Sequence, residues 1–239
     1  KLPLAARLFM AERKPVEELY DLEKDPHEIN NLAQEPQYAT ILSRLRQVHQ
    51  EWLFETRDLG LLPEPEIIER EQKLGSRYAI FRQDGSDELM RRLIEVATLA
   101  SEGEAVLPEL LQAMDDSDAA VRYWGATGVG NIGRATGRAE RRMLEALEDE
   151  SVSVRVAAAR ALCRMGKPGK ALRVLEAELA GEHQWGRLQA AIVLDEIGEM
   201  ARPAEDALKQ ALSNQPNKYI TRVANRALND LNGTNNRVP

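Results

Sequence analysis

From about residue 104 the sequence repeats itself four times. DSDAAVRYWGATGVGNIG ends at Gly133, DESVSVRVAAARALCRMG at Gly166, GEHQWGRLQAAIVLDEIG at Gly198 and QPNKYITRVANRALNDLN at Asn232, so the copies are spaced by 33, 32 and 34 residues. A period in this range marks stacked supersecondary units rather than one closed core. Within each copy Val129, Leu162, Leu194 and Leu228 hold one position, and Ile132, Met165, Ile197 and Leu231 another. An earlier helix repeats as well. Leu110, Met143, Leu175 and Leu208 correspond, and four residues on so do Met114, Leu147, Leu179 and Leu212. Residues four apart share one face of a helix, so each unit reads as two antiparallel helices with an apolar stripe. Asp118, Ser151, His183 and Asn217 fall just before the second helix, and Asp, Ser and Asn are residues that cap helix N-termini. Gly133, Gly166, Gly198 and Asn232 follow the last apolar residue, where a helix ends through positive φ. Residues 87–103 put Leu89, Leu93, Val96, Ala97 and Ala100 on one face and read as an amino-terminal cap for the stack.

Composition narrows the classes. The 239 residues are 43% hydrophobic and 30% charged, with a net charge of −7, which is ordinary globular composition. Three Trp, five Tyr and three Phe are few, favouring helices packed through Leu and Ala over an all-β sandwich. No apolar run approaches the ~18 residues of a membrane span. An acidic pI near 5.2, without a basic cluster, argues against nucleic acid as partner. The single cysteine, Cys163, excludes an internal disulfide framework and multi-cysteine zinc sites. The first residue is Lys1 rather than Met, which reads as a piece of a longer protein.

Residues 1–86 do not repeat, which places a domain division between 1–86 and 87–239. PLAARLFMAE reads as a short helix and VEELYDL (16–22) as a strand; EKDPHEINNLAQEP is dense in turn formers. Tyr38, Ile41, Leu42, Leu45, Val48 and Trp52 follow the helical period and predict an amphipathic, packed helix. Pro63 and Pro65 interrupt the chain before EIIEREQKLG resumes as a helix. A lone strand needs a sheet, and these residues hold no second strand.

Two resemblances follow. The D-x-x-V-R pattern with A-x-x-x-x-G resembles HEAT-type repeats over about residues 104–232. It is carried by Asp118, Val121 and Arg122, then by Val154 and Arg155; the third copy keeps Arg187 after Gly186, and the fourth has Thr221 in place of Arg. This implies a mainly α protein, an α-solenoid of helical hairpins with one concave face. The second resemblance lies in residues 17–33, EELYDLEKDPHEINNLA, which are similar to the end of the sulfatase fold. Glu18, Leu19, Tyr20, Asp21, Leu22, Asp25, Pro26, Glu28, Asn31 and Leu32 match that motif. Glu51–Trp52 with TRDLGLLPEPE resembles the continuation in one group of bacterial sulfatases, where VRYWGATGVGNIG resembles the opening of a HEAT extension. The resemblance implies a short α+β remnant of a sulfatase carboxy-terminal subdomain over 1–86 and an upstream catalytic domain in the same chain. It further implies a periplasmic or secreted parent that hydrolyses sulfate esters or sulfamates with a formylglycine and a calcium ion.

The nucleophile motif and the metal site are not in these residues. Cys163 lies in ALCRMGKPG, without the Pro and Arg spacing of C-x-P-x-R, and reads as a small buried side chain. His27 in the acidic loop reads as solvated or as a contact for a sulfate oxygen; His49 and His183 have no nearby ligand partner. Asp21, Asp25 and Glu28 are hard oxygen donors in a turn, yet their spacing matches no calcium loop, and Asp25–Pro26 reads as turn formation. Arg122, Arg155 and Arg187 are either ties between repeats or an anion ladder for a sulfated glycan, with Tyr123, Trp124 and Trp185 beside them. No catalytic, cofactor-binding or metal-ligating residue is assigned. Three functions remain open: the non-catalytic end of a sulfatase, a free-standing scaffold for a protein partner, and a HEAT-like lyase or chaperone-type helper for a cofactor-bearing protein.

Overall fold

The structure, a computed structural model, describes residues 2–11 and 14–238. Its contacts divide the chain into two compact units, 1–58 and 59–239.

In the first unit, α1 (Leu4–Phe9) precedes a long loop, a 3-10 turn at Pro36–Tyr38 and α2 (Ala39–Thr56). The expected strand at 16–22 is absent, and no strand occurs among the described residues, so the α+β remnant is corrected to helices and loop. The reason is the missing partner: with no second strand, the main chain of this segment bonds to a side chain. Asn31 Oδ1 accepts the Leu19 N–H at 3.0 Å, and Asn31 Nδ2 donates to Glu17 O at 3.0 Å. Leu32 N–H adds a bond to Leu19 O at 2.8 Å. Helix α2 forms as its period predicts and ends at Arg57, whose φ of 58° closes it. It is not a packed helix, however. None of the described residues up to Asp58 is buried.

The second unit is helical throughout. Helix α3 (Glu64–Leu74) and α4 (Ser86–Leu99) lead into four hairpins: α5 (Leu107–Ala113) with α6 (Ala119–Ile132), α7 (Gly137–Ala146) with α8 (Val152–Arg164), α9 (Pro168–Ala180) with α10 (Gln184–Glu196), and α11 (Glu205–Gln210) with α12 (Lys218–Asn232). Second helices pack on one another, α6 on α8 and α10 on α12. The repeating apolar positions make the core: Leu110, Met143, Leu162, Leu175 and Leu208 are fully buried, and Leu194 nearly so. Each buried Leu or Met contributes about 1.5–3 kcal/mol relative to exposure, and one hairpin alone has nothing to bury that stripe against. Helix α4 seals the first hairpin through Met90, Leu93, Val96 and Ala100.

Helix starts and stops recur as the sequence indicates, with two differences. All four residues before the second helices cap, His183 included: its Nδ1 accepts the Gly186 N–H at 3.3 Å. Gly133, Gly166 and Gly198 take positive φ, but Asn232 stays helical and the turn falls on Gly233, at φ 61°. Gly is the cheaper residue for that conformation. The Gly186 departure in the third copy is also explained. A Cβ there would sit 2.6 Å from Val152 Cγ2, so the missing side chain lets α10 close on α8.

Candidate interaction surface

The three repeat arginines lie one turn inside their helices, where the guanidinium reaches back to the hairpin turn and forward to the next repeat. Arg122 donates to the carbonyls of Asp116 and Ser117 and forms a two-pronged pair with Asp149 at 2.8 Å on both arms. Arg155 donates to Asp149 O and Glu150 O and pairs with Glu178 at 2.6 Å. Arg187 donates to Gly181 O and to Gln215 Oε1. Burial alone would raise the Asp149 carboxyl, but the bonds from Arg122 and from Ser151 N–H hold it below the usual carboxylate range. Each guanidinium is already engaged in the stack, which is the tie between repeats rather than a free anion ladder.

A second row runs across the second helices. Asn131 Nδ2 donates to Ala100 O and its Oδ1 accepts from Arg160. Arg160 reaches Glu196 with two bonds, of 2.6 and 2.8 Å, and Arg164 joins at 3.2 Å. Asn131, Arg164 and Glu196 hold one repeat position, two residues before Gly133, Gly166 and Gly198, but carry an amide, a cation and a carboxylate there, so the position shows no common residue type in the sequence.

Residues 59–85 form a strap on the first two repeats. Leu62, Ile67, Ile80 and Phe81 are buried. The indole N–H of Trp124 donates to Leu61 O at 2.7 Å. Arg70 bonds both oxygens of Asp118, at 2.8 and 3.0 Å, and Ser151 Oγ donates to buried Glu66 at 2.7 Å. The strap therefore seizes the same residues that cap α6 and α8. Trp124 serves this strap, one outcome left open by its place in the sequence. Between α3, the start of α8 and the third hairpin turn lies a cleft of about 520 Å³, with Glu66, Glu69, Glu150, Glu178 and Glu182 facing Arg155 and His183.

The remaining candidates fall apart from one another. Cys163 is buried on α8, and burial, with Glu196 nearby, pushes its thiol up to about 11. A thiol that is protonated at neutral pH is a poor nucleophile. Asp25 Oδ2 accepts the N–H groups of Ile29 and Asn30 at 2.8 and 2.7 Å, and Asp21 pairs with Lys24. These carboxylates hold the turn. His27 lines a hollow of about 320 Å³ with Tyr20, Glu28, Leu8 and Phe9. His49 stacks on Trp52 on α2. Among the described residues no three His, Cys, Asp or Glu side chains converge as a metal site requires. Neither Cys163 nor the acidic turn fits the formylglycine or the calcium ion that the sulfatase resemblance implies for the parent, and no chemistry is derived through them. Among the described residues no helix is long and apolar enough to cross a membrane.

Residues 140–229 match the family model of HEAT repeats. This stretch is a HEAT-repeat array. Two curated relatives are similar over short stretches. The ulvan-active sulfatase of Formosa agariphila is 44% identical over 57 residues, 24% of this chain and 10% of that protein. The N-sulphoglucosamine sulphohydrolase of Homo sapiens is 49% identical over 41 residues, 17% of this chain and 8% of that protein. The match thus spans a tenth or less of either relative. Among solved structures, the complex of CpcE and CpcF of phycocyanin lyase from Nostoc sp. PCC7120 aligns with a TM-score of 0.45 at 22% identity, covering 67% of this chain and 96% of that one.

Proposed function

We propose that this chain is a non-catalytic helical-repeat scaffold, and that its first 58 residues close the catalytic fold of a sulfatase to which the scaffold belongs. The repeats supply the scaffold. The observation that carries the finer reading is the first unit's exposure: none of its described residues is buried, while α2 presents Ile41, Leu45, Val48 and Trp52, each more than two-fifths exposed, along one face. A face of this kind, left open in water, marks a surface made to be covered. The polar residues of the E-L-Y-D-L-x-x-D-P-x-E-x-x-N segment hold its turns, so the segment presents a shaped loop rather than reacting groups. The two sulfatase relatives support the assignment and favour a sulfated saccharide as the parent's substrate class.

The test is sulfate release from an aryl sulfate by the protein encoded by the whole reading frame, expressed with formylglycine-generating activity. Turnover that survives deletion of residues 59–239 but not of residues 17–58 is the expected result. An intact protein bearing C-x-P-x-R that releases no sulfate from aryl or saccharide sulfates would overturn the assignment. A free-standing scaffold for a protein partner is the second reading, and the HEAT-repeat match favours it directly.

A further inference from the structure

The strap shows what the second-helix face can hold. At α6 and α8 this face is occupied by the chain's own segment 61–74, LLPEPEIIEREQKL, which carries four Glu against one Arg and one Lys and anchors through Leu62 and Ile67. Counted from the capping residues Asp118 and Asn217, Val223 of α12 holds the place of Trp124 of α6, the residue that bonds the strap's main chain. At α12 Val223 is half-buried, between exposed Arg222 and Arg226. Tyr219, Arg222, Val223 and Arg226 follow the i, i+3, i+4, i+7 spacing of one helical face, and Tyr219 is 51% exposed. Neighbouring α10 adds Ile192, 48% exposed.

The charge of this face is opposite to the strap's. Lys218 and Arg222 lie 5.5 and 5.8 Å from the centre of the Tyr219 ring. Among the described residues neither pairs with a carboxylate, whereas the arginines of the earlier repeats are engaged in the ties described above. Arg226 is paired with Asp195 and Asp230, so the positive character of the face rests on Lys218 and Arg222 about the exposed ring, in a chain of net charge −7. The carboxy-terminal tail runs beside it, Asn236 O accepting from Asn225 and Asn229, three and seven residues after Arg222, and Lys218, Tyr219 and Arg222 stay exposed next to it.

We propose that the α12 face, with Ile192 of α10, holds an acidic segment of a protein partner, its apolar side chains on Tyr219, Val223 and Ile192 and its carboxylates on Lys218 and Arg222. This rests on the scaffold reading and names the partner chemistry of that scaffold. The strap is the internal precedent for both the face and the composition of the segment.

The probe is a fluorescein-labelled peptide with the sequence of residues 61–74, titrated with the whole chain and followed by anisotropy. Saturable binding is expected, weakened about tenfold or more in a K218E/R222E variant and in a peptide with its Glu replaced by Gln. It should also weaken as salt rises from about 0.05 to about 0.5 M. Both substituted residues are exposed, so the variant should keep its circular dichroism and Tm. Absence of saturable binding overturns the proposal. So does binding that K218E/R222E leaves unchanged, as exchange with the native strap at α6 would give. Capture of a heparin fragment at these residues in place of the peptide, or dimerisation of the chain through them, overturns it as well. None of these outcomes bears on sulfate release, which tests the parent assignment separately.

Discussion

At the scale of single residues, the ties between repeats carry the stack's specificity. Arg122 is 8% exposed and meets Asp149 with two parallel bonds, a geometry that Lys cannot reproduce. Removing one member leaves the other charged and largely out of water, so Arg122→Ala should cost about 3 kcal/mol, and Arg122→Lys should restore only part, in urea denaturation. The Asp149 carboxyl is held low, so its contribution is complete above the unfolded carboxylate range and lost as pH falls through the lower, folded value. Asp195 has the opposite sign. Burial raises its carboxyl, Arg226 at 3.6 Å only partly offsets this, and its Oδ1 has no bond. The folded state then binds the proton more tightly, so stability falls as pH rises through this range. Asp195→Asn should raise Tm near pH 7, and the gain should disappear in acid where the native carboxyl is protonated. Cys163 should resist a thiol reagent in the native protein and react at once in denaturant, in keeping with its buried, raised thiol.

At the scale of elements, the repeats are not interchangeable. Helix α6 carries glycines where its neighbours carry larger residues. A Cβ on Gly128 would lie 2.5 Å from Leu110 Cδ2 and 3.0 Å from the Ala100 backbone, and Leu110 is fully buried. Gly128→Ala should therefore destabilise by about 1–3 kcal/mol despite the better helix propensity of Ala, as chemical denaturation would read. Helix α2 behaves in the opposite way. Because Leu45 and Trp52 are exposed, Leu45→Gln and Trp52→Gln should each change the stability of this chain by no more than about 0.5 kcal/mol. The same changes in the whole encoded protein should lower its Tm by several degrees if the face is covered there.

At the scale of the whole molecule, the compact unit that contains the repeats begins at Leu59, ahead of the first repeated residue, because the strap is part of its core. Limited proteolysis should remove residues up to about 58 and leave a fragment that starts near Leu59. A fragment starting near residue 87 would mean that the strap detaches, and mass spectrometry of the resistant product distinguishes the two.

The hairpins, their caps and their stops were legible because each rests on local chemistry. A stripe four residues apart, a capping side chain and a glycine for positive φ act within one helix, and repetition amplifies the signal. The candidate surface was only half legible. Arg122, Arg155 and Arg187 stood out because they recur, with tie and anion ladder both open until their partners were placed, whereas the Asn131–Arg160–Glu196 row uses unlike side chains and the strap on Asp118 and Ser151 comes from outside the repeats. VEELYDL has the composition of a strand, and α2 the pattern of a packed helix, because composition records which face an element is built to bury. Whether the partner for that face is within reach is a tertiary matter: a strand forms only against another strand, and an apolar stripe is buried only where a second surface meets it.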